Sequence, residues 1–241
     1  MSEARFAESR RDLRRRKWKR IVLAVLLVAV LGGLVWLVGF SRVLAVDSVS
    51  IKGETSLRAA QIRDRADVRI GQPLVRVDTV AIESRIASMA RVEDVSVSRS
   101  WPQTLTITVV ERKAIAYVKG AGTIRGVDRF GVDFRTFSRA PDGLMEAKVE
   151  VAVPRRRQQA LEAVASVAEA IRAKDPDLRR QVQAISALSK DSIELNLTKG
   201  RTVVWGSEAD AARKLAVLEP LLRLDATRYD VSAPDQPTTT A

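Results

Sequence analysis

VEDVSVSRSWPQTLTITVVER, residues 92–112, is two alternating runs on either side of a Trp-Pro turn. In the first run Val95 and Val97 share one face. In the second, Leu105, Ile107 and Val109 face one way while Thr104, Thr106 and Thr108 face the other. Alternation at a period of two is the mark of a half-buried strand, and threonine and branched residues suit a pleated surface. Pro102 fixes the turn between the runs, with Trp101 expected to close a small core. Glu111-Arg112 is expected to close an ion pair at the strand end.

Upstream, Asp47–Lys52 alternates as another strand, ended by Gly53. A short helix is expected over 57–66, and Ile70-Gly71-Gln72-Pro73-Leu74 reads as a loop. A second helix starts at Asp78 or Thr79 and runs to about Met89, with Ile82, Ile86 and Met89 on one face. The order β-α-α-β-β places a small three-stranded α+β module at 46–112. A second, mixed unit covers 113–233. Its expected strands are 114–118, 123–127, 132–137, 148–153, 181–188, 192–198, 202–205 and 227–232. Pro154 opens a helix with Leu161, Val164, Val167 and Ile171 in its stripe, and Ser207 is expected to cap another that carries Ala211, Leu215, Leu218 and Leu222. Asp128–Gly131 reads as a hairpin turn, with too few oxygen ligands for calcium. The ending, 234–241, has the composition of a disordered tail.

Ahead of both units lies IVLAVLLVAVLGGLVWLVGF, residues 21–40, twenty residues without a charge. As a helix it would reach roughly 30 Å, the thickness of a bilayer core. Nine Lys/Arg and three acids fill the first twenty residues, so this tail is expected to stay cytoplasmic and everything after the run to lie outside. A cleaved signal peptide has a shorter apolar centre and a small-x-small site, and Leu44-Ala45-Val46 does not supply one. Arg16, Lys17, Trp18, Lys19 and Arg20 on one side and Trp36 near the other read as membrane-interface anchors.

The formal charge is +12, half of it in that first tail, where topology and anionic lipid account for it. The remainder is dispersed, so nucleic acid is not an expected partner and membrane lipid is. There is no cysteine and no histidine. Thiolate chemistry, disulfides and the commonest general base are thereby excluded, and no Ser-x-x-Lys set or phosphate loop takes their place. No catalytic residue, cofactor or metal site is expected.

Taken in order, several short motifs resemble the FtsQ/DivIB family of bitopic bacterial cell-division proteins. They are Val49-x-Ile51-x-Gly53, Gly71-x-Pro73-Leu74-x-x-Val77-Asp78, the 95–112 segment, Val127-Asp128-x-x-Gly131-Val132 and Gly200-Arg201-x-Val203-x-Trp205-Gly206. Ala90-Arg91 and Lys113 depart from the family's usual Leu-Pro and proline. The resemblance implies a transmembrane helix, a POTRA domain at 46–112 and the family's β domain at 113–233. It also implies a non-catalytic divisome scaffold at the septum, a single-pass cell-membrane protein. Its partners would be FtsB/DivIC-like and FtsL-like coiled-coil proteins, with septal peptidoglycan synthase components as further candidates.

In that family the partner adds along the terminal edge strand of the β domain, and Arg228, Tyr229, Asp230, Val231 and Ser232 occupy the matching place. An edge strand offers unpaired main-chain groups to an incoming segment. Tyr229 is the expected anchor, with Arg228 and Asp230 on the other face. The bland alternative is that Tyr229 merely covers the sheet and the last residues shield the edge. Two other classes compete with the scaffold: a POTRA-bearing secretion or envelope-assembly component, and a membrane-anchored wall enzyme.

Overall fold

A computed structural model describes residues 18–33, 36, 42–120 and 122–240. Residues 18–33 form a helix, α1, with every side chain exposed. Part of the expected membrane span, 34–35 and 37–40, lies outside the described residues, as do Arg16, Lys17 and the tail before them. Among the described residues no helix is long and apolar enough to cross a membrane. Beyond α1 the chain folds as two units that part between Glu111 and Arg112.

The first unit holds β1 (Ser48–Lys52), α2 (Ala59–Ala66), α3 (Thr79–Ala87), β2 (Val92–Ser100) and β3 (Thr104–Glu111). β3 is central, parallel to β1 and antiparallel to β2. Its Leu105, Ile107 and Val109 are fully covered by Ile62 and Ala66 of α2 and by Ile82 and Ile86 of α3. Asp78 caps α3 by accepting from the Ala81 amide at 3.0 Å. Polar groups tie the loops down. Arg99 donates to the carbonyls of Leu74 and Val77, and Glu83 accepts from the Val97 amide on β2 at 2.7 Å.

Two expectations fail in this unit. Trp101 does not close the core but stands 52% exposed at the β2–β3 turn. The core is already filled by aliphatic side chains from β3 and the two helices, which leaves no room for an indole at the hairpin tip. Glu111 and Arg112 do not pair with each other, because neighbours on a strand point to opposite faces. Glu111 turns inward to the 55–57 loop, while Arg112 pairs with the buried Asp128. The Glu111 carboxylate accepts from the amides of Thr55, Ser56 and Leu57 at 2.6–2.8 Å and from the Ser56 hydroxyl. Burial pushes its pKa up, but those four donors outweigh burial and hold it at about 2.

The second unit is built on a nine-stranded mixed sheet. Its strands are β4 (Ala116–Gly120), β5 (Thr123–Val127), β6 (Asp133–Phe137), β7 (Met145–Val149), β8 (Val182–Ser189), β9 (Ser192–Leu197), β10 (Thr202–Gly206), β11 (Arg228–Asp230) and β12 (Thr238–Thr240). Their order is β12-β11-β10-β9-β8-β7-β4-β5-β6. Helix α4 (Pro154–Lys174) covers the sheet. Pro154 starts it at a position that needs no amide donor, and Leu161, Val164, Val167, Ala168 and Ile171 bury its inner face. Gly131 lets the β5–β6 turn approach α4, since a Cβ there would sit 2.4 Å from the Gln158 carbonyl. Asp128 closes that turn by accepting from the Phe130 and Val132 amides.

Short helices α5 (Pro176–Gln181) and α6 (Ala211–Leu221) complete the layer. α5 was not expected. It follows directly on α4 because the Asp175 carboxylate accepts from the Leu178 amide and restarts a helix at Pro176. The strand expected at 148–153 lies at Met145–Val149 instead, and Val153 is the extended residue that leads into Pro154. Asp210, not Ser207, is the N-cap of α6.

Candidate functional site at the end of the nine-stranded sheet

The five residues expected to receive a partner lie on and just after β11. β11 runs parallel to β10, with Tyr229 opposite Val203 and Asp230 opposite Val204, and α6 is the crossover between them. A parallel strand delivered by a crossover puts its alternate residues under the helix. Tyr229 is therefore fully buried beside Trp205, Leu215 and Leu218, and its hydroxyl donates to the Leu224 carbonyl at 2.9 Å. Val231 is buried as well, and its amide donates to the Val204 carbonyl at 3.0 Å. A tyrosine in that position packs the sheet, so the expected contact anchor is a core residue.

Arg228 and Asp230 face the other side, as alternation requires. Arg228 reaches across β10 to Glu194 on β9 at 3.0 Å. Asp230 accepts from both the amide and the hydroxyl of Ser232, which turns the chain out of the strand. Ser232 itself is exposed.

The edge of β11 is also not the end of the sheet. The ending expected to be disordered supplies β12, antiparallel to β11, with Arg228, Tyr229 and Asp230 opposite Thr240, Thr239 and Thr238. The Thr227 amide donates to the Thr240 carbonyl at 3.0 Å, and the intervening turn is held by Gln236 to Ala233 and by an ion pair between Asp235 and Arg213 of α6. A polar composition means that a segment cannot build a core of its own. It does not stop threonines, which are good strand formers, from pairing with an edge that already exists. All three residues of β12 are exposed, and among the described residues no further strand pairs with its outer side.

Beside Trp205 of β10 sits a residue that was not expected to matter. Lys214 on α6 is buried, donates to the Ser207 carbonyl at 2.7 Å, and lies 5.7 Å from the centre of the Trp205 ring. Burial pushes its pKa down, against the opposing pull of the Asp210 carboxylate. Its spacing from Ala211 and Leu218, three back and four on, puts it on the inner face of the helix, and that periodicity was the available signal.

The site is thus a main-chain edge with a packed interior behind it, a geometry suited to β-addition. Residues 44–112 match the family described as POTRA domain, FtsQ-type, and residues 116–232 match the cell division protein FtsQ/DivIB C-terminal family. The chain belongs to the FtsQ/DivIB family. It is 37% identical over 246 residues to the cell division protein FtsQ of Streptomyces bingchenggensis, covering 97% of this chain and 90% of that one. The FtsQ of Streptomyces coelicolor is 37% identical over 229 residues, covering 90% and 86%. That of Mycobacteroides abscessus is 34% identical over 220, covering 90% and 68%. As a member of the FtsQ/DivIB family this chain is a cell-division protein with an FtsQ-type POTRA domain. The C-terminal family match ends at residue 232, so β12 lies beyond it.

Proposed function

We propose that this protein is a non-catalytic, membrane-anchored scaffold of the division machinery. In this reading residues 21–40 span the membrane, 1–20 stay cytoplasmic, and the units from 46 onward (46–112 and 113–233) work outside it at the septum. Arg16–Arg20 and Trp36 hold the span at its two interfaces. The end of the nine-stranded sheet receives an extended segment of a membrane-anchored coiled-coil protein of the FtsB/DivIC or FtsL kind, and so couples assembly to septal peptidoglycan synthesis.

The observation that carries this reading is the exposed outer edge of β12 on a sheet whose next strand, β11, is locked into the core. A segment added there gains main-chain hydrogen bonds without disturbing packing, and Asp235, paired with Arg213, lies in the turn that leads into β12. Anchoring both proteins in one membrane raises their effective concentration, so a short, reversible contact suffices. The role foreseen for Tyr229 is thereby reassigned: it holds the strand in place rather than touching the partner.

Photo-crosslinking in dividing cells tests this, with the reactive residue at Thr239 or Arg228 and a control at Lys190. The expected result is a discrete adduct with a small coiled-coil division protein at 239 or 228 and none at 190. Absence of adducts at both positions, at normal protein level, would place the partner surface elsewhere.

A further inference from the structure

Three loops meet where the chain enters the first unit. Ala45 bridges to Pro73, the Val46 amide donates to the Gln72 carbonyl at 2.9 Å, and the Gly71 amide donates to the Val46 carbonyl at 2.8 Å. The β2–β3 turn is tied to the same segment. The Asp47 amide donates to the Gln103 carbonyl at 2.9 Å, and the Gln103 side chain donates to the Val43 carbonyl at 3.0 Å. The entry segment, the 70–73 loop and the Trp101 turn therefore form one end of the unit.

Three side chains exposed at this end are large and apolar: Trp101 at 52%, Ile70 at 61% and Val43 at 61%. Single exposed apolar residues need no explanation, but here an indole and two aliphatics project from adjoining loops. Arg69 precedes Ile70, and Asp47 is exposed nearby. An amphipathic aromatic among aliphatics and charges is the composition of a lipid headgroup layer.

The chain also limits how far this end can stray. Phe40 closes the apolar run and Ala45 follows five residues later. Fully extended, five residues reach at most roughly 18 Å, and the headgroup layer itself extends roughly 5–7 Å beyond the hydrocarbon. We propose that the Val43–Ile70–Trp101 end of the first unit rests on the lipid surface beside the anchor, with Trp101 in the headgroup layer. The proposal rests on the reading of 21–40 as a membrane span. Tethering supplies what so small a patch could not gain alone, because each approach to the surface is intramolecular.

The chain has no cysteine, so single-cysteine variants carry one label each. The test uses full-length protein in vesicles of phosphatidylglycerol and phosphatidylethanolamine containing a headgroup-region quencher lipid. An environment-sensitive fluorophore is placed at Trp101→Cys, Ile70→Cys, Leu188→Cys in the second unit, or Leu31→Cys within the apolar run. Unchanged denaturation curves establish that each variant is folded. The expected result is a blue shift and several-fold stronger quenching at 101 and 70 than at 188, together with a membrane signal at 31. A membrane signal at 31 with aqueous behaviour at both 101 and 70 overturns the proposal and leaves the anchor standing. An aqueous signal at 31 removes the anchor and the proposal together. Protection at 101 that arises only when other division proteins are added assigns this end to a protein partner and also overturns it.

Discussion

The 54–58 loop of the first unit and the 233–240 ending of the second are both polar, and both lie beside a strand, yet they are held in opposite ways. The loop is drawn around a buried carboxylate, Glu111, which takes three amides and a hydroxyl. The ending lies on the outside of β11 with its threonines exposed, secured by a short ladder and one exposed ion pair. Removing the carboxylate would strand the buried Leu57 amide and three part-buried donors beside it, whereas detaching the ending returns every group to water. Stability is therefore unequal along one chain, and the weakly held segment is the one at the sheet end.

The largest effect that would test this contrast comes from Tyr229→Ala. A buried aromatic exchanged for alanine is expected to cost about 3–5 kcal/mol, read as an early unfolding transition in urea. A contact anchor on the surface would lose almost nothing, so a mild result would contradict the core placement. Glu111→Gln is expected to cost about 2–3 kcal/mol, since it removes charged hydrogen bonds and leaves amides poorly matched.

The same pair sets a pH signature. Glu111 has a folded pKa of about 2, below its ordinary value near 4.5, so folding favours its ionised form. Its contribution is full above about pH 4.5 and is lost as pH falls toward 2. The stability gap between wild type and Glu111→Gln should accordingly narrow over that window, as measured by melting temperature. A gap that stays constant down to pH 2 would show that the carboxylate is not what holds the loop.

Tyr229→Phe removes only the hydroxyl donated to Leu224 and is expected to cost about 1 kcal/mol. Thr239→Pro takes a donor from β12 and should change unfolding by less than about 0.5 kcal/mol, the range of exposed substitutions. In the proposed function it should nevertheless weaken partner crosslinking at Arg228. Equal loss of folding and crosslinking would erase the distinction between the two segments.

Much of this fold is legible in the sequence because its signals are periodic. Leu105, Ile107 and Val109 alternate and are buried, and the α4 stripe of Leu161, Val164 and Ile171 is buried as read. What stayed hidden depended on what lies opposite. Alternation shows that Tyr229 and Arg228 face different ways, but not which face α6 will cover. Nor does composition reveal that 238–240 would find an edge, since the partner strand lies ten residues upstream. Trp101 misled because large aromatics usually fill cores, while here aliphatic residues had already filled it. Lys214 was overlooked because lysine is seldom fully buried.

The crossover from β10 through α6 to β11 also sets an order of assembly during synthesis. β11 cannot pair with β10 until α6 has been made, and β12 cannot pair until residues 238–240 have followed. The end of the sheet is thus the last of its described parts to exist, and a chain stopped before residue 228 would carry a folded POTRA unit but no such edge. A chain that stops short of residue 228 is therefore recognisable by the edge it lacks.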